Sequence, residues 1–108
     1  MRGLDDALKS LNEFESLIRK GLRPEKDLER LRYGHRWNSF KFAYLEHRIG
    51  PLTVEVKAHA SERPGHLNVW LWNFNAPAGE NCKFDMWGSV PHVAGVVADY
   101  INEYEVAA

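Results

Sequence analysis

HLNVWLWNFN, residues His66–Asn75, decides how the rest of this chain is read. With the two-residue period of a strand, Leu67, Val69 and Leu71 point one way, and Trp70, Trp72 and Phe74 point the other. A strand that is apolar on both faces is covered on both, or one face meets something outside the chain.

The neighbouring segment sets the register. Leu52–Ala60 alternates cleanly, with Leu52, Val54, Val56, Ala58 and Ala60 inward and Thr53, Glu55, Lys57 and His59 outward. A strand over Trp37–Ile49 precedes it, and Gly50-Pro51 between them reads as a two-residue hairpin turn. That turn sets Ile49, His47, Leu45 and Ala43 opposite Leu52, Val54, Val56 and Ala58 on the core side. It sets Tyr44 opposite Lys57, Glu46 opposite Glu55 and Phe42 opposite His59 on the other side.

Between Ala60 and His66 runs a Pro-Gly turn, SERPG. A four-residue loop, Glu62–Gly65, places Leu67, Val69 and Leu71 beside Ala60, Ala58 and Val56. Trp70, Trp72 and Phe74 then fall beside Lys57, Glu55 and Thr53. A five-residue loop swaps the faces and buries the tryptophans. Three aliphatics matched to three aliphatics favour the first.

Outward from this core, Asn75–Asn81 is a loop and Cys82–Trp87 a short strand, alternating Cys82, Phe84 and Met86 against Lys83, Asp85 and Trp87. Ser89 is placed as the N-cap of a closing helix, Val90–Val106, with Val93, Val97, Tyr100, Ile101 and Tyr104 as its buried stripe. Gly95 inside that helix predicts a close backbone approach. At the other end, Met1–Lys20 reads as a helix, with Leu4, Leu8, Leu11, Phe14, Leu17 and Ile18 on one side. Gly21 reads as its left-handed C-cap, with Leu22 as the hydrophobic contact. Pro24 opens a short second helix, Pro24–Tyr33, with Leu28 and Leu31 inward and Gly34 ending it.

The fold class expected is therefore α+β. It comprises an N-terminal helix, a short second helix, a three- to four-stranded antiparallel sheet and a C-terminal helix packed on one sheet face. The 108 residues suit one domain, and 44% hydrophobic with 27% charged residues is globular composition rather than disorder. One cysteine excludes an internal disulfide framework and suits a reducing compartment. No apolar run approaches a membrane span, and the charged N-terminus is no signal peptide, so the chain reads as cytoplasmic.

Net charge is −1, which argues against a global field for nucleic acid or membrane. The charges are unevenly spread. Seven Lys/Arg lie between Arg19 and Arg36, whereas from Ala76 onward only Lys83 opposes Glu80, Asp85, Asp99, Glu103 and Glu105. This predicts a basic and an acidic patch on one surface.

With both long helices on the Leu52/Val54/Val56 side, the opposite face carries Phe40, Phe42, Tyr44, Trp70, Trp72 and Phe74, interleaved with Glu55, Lys57, His59 and Arg48. Six rings exceed the apolar patch a monomer normally exposes. Loop Asn75–Asn81 and the second helix folding over them would make a second small core. Left open, the rings form a subunit interface, a ligand pocket or a stacking platform.

The polar candidates are weaker. His47, opposite Val54, reads as a hydrogen-bonded core histidine. His59 and His66 flank the SERPG turn near Glu62, without a metal-site spacing. Cys82, Asp85 and His92 are nucleophile, orienter and base types that no spacing brings together. Glu46 opposite Glu55 would hold a raised carboxyl pKa only in a closed pocket. There is no phosphate-binding glycine loop and no zinc pair. Neither a cofactor nor a catalytic or metal site is assigned.

The helix–strands–helix order resembles the double-stranded-RNA-binding fold in topology alone. Pro91-His92 opens a helix whose only charges are Asp99, Glu103 and Glu105, where such a module needs a basic N-terminus. The function expected is a small non-enzymatic binding or interaction protein, a homo-oligomer (dimer) self-associating through the aromatic sheet face. The alternative is a small-molecule-binding domain or cofactor-free enzyme, its pocket lined by Glu46, Glu55, His59 and Tyr44 beside the Asn75–Asn81 loop. A nucleic-acid or acidic-protein binder using residues 19–36 ranks last, and a nucleic-acid partner is not expected.

Overall fold

Leu52, Val54, Val56 and Ala58 are buried, whereas Glu55, Lys57 and His59 between them stay partly exposed. This alternation is repeated on the strands to either side and gives the sheet one dry face. The computed structural model describes residues 2–104. In chain order the elements are α1 (Leu4–Gly21), β1 (Glu29–Arg36), β2 (Phe42–Ile49), β3 (Leu52–His59), β4 (His66–Asn73), β5 (Cys82–Ser89) and α2 (Val90–Glu103). The fold is α+β. The five strands form one antiparallel sheet in the order β1-β2-β3-β4-β5. Both helices lie on its dry face, where Leu11, Phe14 and Ile18 of α1 and Val93, Val97 and Ile101 of α2 join Leu45, Val54, Val56, Leu67, Val69 and Leu71 in one core. No helix among the described residues is long and apolar enough to cross a membrane.

The β2–β3 hairpin has the predicted register at every pair, from Phe42 opposite His59 to Ile49 opposite Leu52. Gly50 takes a left-handed φ of 56°, which suits the first central position of a tight hairpin turn. Pro51, its φ locked by the ring, fills the second.

Across β3–β4 the faces are as expected, with the aliphatics inward, but the pairing is displaced by two residues. Val56 faces Val69, Val54 faces Leu71, Glu55 faces Trp70 and Thr53 faces Trp72. A two-residue shift keeps every side chain on its face, so burial does not select between the registers. Ala60 itself lies beyond β3, its amide donating to the Lys41 carbonyl on the β2 side and its carbonyl accepting from the Arg2 amide.

The second helix is absent. Pro24 and Glu25 form a turn, and Glu29–Arg36 is edge strand β1. A helix over Pro24–Tyr33 offers only Leu28 and Leu31 to the core, too little to fix a short helix. As a strand the segment completes a ladder along the free edge of β2. Leu28 is buried as expected, but Leu31 is 37% exposed. The next strand starts at Phe42 rather than Trp37, because residues 37–41 form the β1–β2 connection and Lys41 breaks the pleat at φ 43°.

Two glycine expectations are corrected too. Gly21 is the last residue of α1, not a left-handed cap; Leu22 takes that place with extended backbone. A Cβ on Gly21 would lie 3.1 Å from the Ala98 Cβ, so glycine here permits close approach of α2. The Asn102 side chain completes the junction, donating to the Gly21 carbonyl at 2.8 Å and accepting from the Arg23 amide at 2.8 Å. Gly95, expected at a close approach, has nothing within 4 Å of its Cβ position. Ser89 sits at the N-cap of α2 but makes no capping bond; the Val90 amide instead donates to the Gly65 carbonyl. Met1 and residues 105–106 of the expected terminal helices lie outside the described residues.

Candidate functional site

The face of the sheet away from the helices is not covered by any described helix or strand. Its residues follow from strand alternation and two β-bulges. The first bulge lies between Arg30 and Arg32. The extra residue, Leu31, sends Arg30 to the helix side and Arg32 to the open side. Arg30 pairs with His47, whereas Arg32 pairs with Glu46, Gly34 with Tyr44 and Arg36 with Phe42. The basic segment is thus split. Arg32 and Arg36 flank the aromatic row, while Arg30 reaches α1 and the Lys26 ammonium is held by the Tyr104 carbonyl at 2.6 Å.

On the open face the cations lie over rings. The Arg32 guanidinium is 5.0 Å from the Tyr44 ring centre; the Lys57 ammonium is 5.1 Å from that of Phe42 and 5.7 Å from that of Trp70. All three are cation–π distances. Phe42 also touches Tyr44 and His59, at centroid separations of 6.1 and 5.6 Å. Gly34 makes room for this arrangement, since a Cβ there would come within 2.7 Å of the Tyr44 hydroxyl. Phe42, Tyr44, Trp70 and Trp72 are each partly exposed, shielded by neighbouring side chains.

A shallow groove of about 250 Å³ runs over β1–β3 on this face, lined by Arg32, Arg36, Phe42, Tyr44, Glu46 and Glu55 together with Lys57. It lies away from the Asn75–Asn81 loop, and His59 does not line it. Glu46 and Glu55 are cross-strand partners, as the hairpin predicts. Among the described residues neither forms an ion pair with Arg32, Arg36 or Lys57; the ion pairs present all converge on Glu15.

The remaining predicted site residues spread out. Phe40 is 76% exposed on the β1–β2 connection and has left the ring row, because the strand starts two residues later. Phe74 lies just beyond β4 and stacks on Trp72, with a 6.3 Å centroid separation and a 7° interplanar angle. Thr53, opposite Trp72, is only 2% exposed although it faces the open side. His59 and His66 are drawn to different rings, Phe42 and Trp87. Among the described residues no three His, Cys, Asp or Glu side chains converge as a metal site requires. Cys82 opens β5, whereas His92 lies beside Gly88 near its other end, about 20 Å away along a strand rising about 3.4 Å per residue. The second bulge, at Leu71/Trp72, makes Lys83 the extra residue and turns Cys82 to the side of Trp72, not to that of Phe84 and Met86 as the alternation implied.

On the helix side lies a polar cluster that the sequence reading found only in half. His47 is fully buried, and its Nε2 lies 2.7 Å from Glu15 Oε2. Arg30 closes on both oxygens of the same carboxylate. The Arg30 hydrogen bonds, aided by His47, pull the Glu15 carboxyl down to about 2 against the opposing effect of its own burial. Burial pushes His47 below its ordinary value, outweighing the bond to Glu15. The missed signal was Glu15 itself, a carboxylate within the Leu11–Phe14–Ile18 stripe of α1.

No protein-family model, curated protein or solved structure matches this chain.

Proposed function

We propose that this chain is a non-enzymatic interaction protein whose contact surface is the open sheet face, docking a protein partner that presents acidic side chains beside apolar ones. The observation that carries this reading is the set of cations held over rings without ion-pairing to Glu46 or Glu55. Arg32 and Lys57 are positioned by aromatic faces and keep their charge available. Arginine, tyrosine and tryptophan are also the residue types that dominate binding energy at protein interfaces. The groove, at about 250 Å³, is smaller than the ~300–1,000 Å³ of a small-molecule pocket, so an extended partner suits it better.

The test is selection of a phage-displayed random peptide library on the wild-type protein, followed by affinity measurement against the R32E/R36E variant. Peptides rich in Asp or Glu beside Trp, Phe or Leu are expected, binding the variant at least about tenfold more weakly. Peptides that bind both proteins equally, or no enrichment, overturn the reading. Retention of single-stranded oligonucleotides that falls steeply with salt would replace the protein partner with nucleic acid. A wild-type oligomer that R32E/R36E dissociates would instead make a second copy the occupant of this face.

A further inference from the structure

Strand pairing sorts the open face into rows that cross all five strands. One row runs Arg32, Glu46, Glu55, Trp70, Asp85. The next runs Gly34, Tyr44, Lys57, Asn68, Trp87. Both bulges fall outside these rows, at Leu31 and Lys83. Glu29, opposite Arg48, lies on the far side of the first row. The carboxylates that the strands put on this face therefore stay to one side of the second row, which holds none itself. On its other side Arg36 is opposite Phe42, and Phe42 is opposite His59.

The second row changes character along its length. Over β1–β3 it is basic: Arg32 leans onto Tyr44 at 5.0 Å, Arg36 stands beside Gly34 on the same strand, and Lys57 belongs to the row. Over β4 and β5 it is uncharged. Asn68 is followed by Trp87, which is 45% exposed and stacks on His66 at 4.7 Å with an interplanar angle of 26°. The exposed Asp85, two residues before Trp87, repels a carboxylate at this end. An acidic group is thus drawn to the β1 end and turned away from the β5 end, where Trp87 offers an apolar surface.

We infer that the acidic partner lies extended across the strands along the second row, with its acidic residues over Arg32 and Arg36 and an apolar side chain against Trp87. This rests on the reading of the open face as a protein-docking surface, and adds the partner's direction and spacing. Four steps of about 4.8 Å between strands separate β1 from β5 by about 19 Å. An extended chain covers about 3.3 Å per residue, so the acidic and apolar residues of the partner stand about six positions apart.

Synthetic peptides test it, each with an Asp-Asp pair and a Trp separated by Gly/Ser spacers of about two or about seven residues, in both orders. They are titrated calorimetrically against the wild type, R32E/R36E and W87A, with circular dichroism to verify folding. The widely spaced peptides are expected to weaken about tenfold on R32E/R36E and about tenfold on W87A. The closely spaced ones are too short to reach both ends and are expected to respond to one variant at most. D85K gives a second readout at an exposed position: a widely spaced peptide with Asp-Asp at both ends is expected to bind it at least about threefold more tightly than the wild type. Widely spaced peptides that weaken on R32E/R36E but not on W87A, or a D85K protein that gains nothing, overturn the inference and leave the docking face standing. Peptides that do not bind, or that bind R32E/R36E equally well, overturn both.

Discussion

At the scale of the residue, the Glu15–His47–Arg30 cluster joins α1, β1 and β2 through one carboxylate. At neutral pH Glu15 can only accept, so His47 donates from Nε2, and its buried Nδ1 has no hydrogen-bond partner among the described residues. Protonating Nδ1 would add an unsatisfied buried N–H, which accords with the lowered pKa of His47. Below its ordinary value of 6.5 the unfolded chain takes up a proton that the native His47 resists. The unfolded state then binds more protons, so stability falls as pH drops through that range. His59, also lowered chiefly by burial, acts in the same direction. Glu15 adds a second loss, beginning near 4.5 and extending to about 2. Urea unfolding at about pH 7 and about pH 5 should show lower stability at the acid value, and His47→Leu should flatten that difference without abolishing it, since His59 remains. A wild-type midpoint independent of pH over this range would contradict the account.

At the scale of the element, local pattern sufficed wherever a segment carried its own boundary signals. The β2–β3 hairpin was legible to the last pair because a two-residue turn admits one register. Strand β1 was not legible, since its leucine spacing and opening proline also fit a helix, and only the free edge of β2 distinguishes the two. Helix α2 offers a direct measurement. Gly95 is exposed and faces no neighbour, so its lost helix propensity is not compensated by packing. Gly95→Ala should raise stability by about 1 kcal/mol, read as a higher urea midpoint with an unchanged slope. A destabilised variant would reveal a contact on that side of α2.

At the scale of the whole molecule, the order of strands grades the sheet from centre to edge. β3 is flanked by β2 and β4 and lies under α1, whereas β1 has one neighbour and mostly exposed side chains. Its tie to the helix layer is Arg30 on Glu15. Amides of Glu29–Arg36 should therefore exchange with solvent faster than those of β3, with free energies below that of global unfolding. Equal protection in β1 and β3 would mean that the sheet opens only as one unit.

The sequence by itself determined which side chains face the helices and which face away. Period-two alternation over β2, β3 and β4 is a local property, and burial of one face enforces it. It likewise determined both long helices and their buried stripes, and the α+β class. The tertiary structure decided what no local pattern encodes: that residues 29–36 complete a sheet edge, that bulges at Leu31 and Lys83 re-aim Arg30, Arg32 and Cys82, and that the β3–β4 pairing slides by two residues. These outcomes depend on backbone groups seeking partners in other strands, as Glu29–Arg36 does along the free edge of β2. The open face came from both. Alternation put Phe42, Tyr44, Trp70 and Trp72 on it, but only the fold brought Arg32 and Arg36 to their side, because a bulge on a neighbouring strand has no signature in the hydrophobic period.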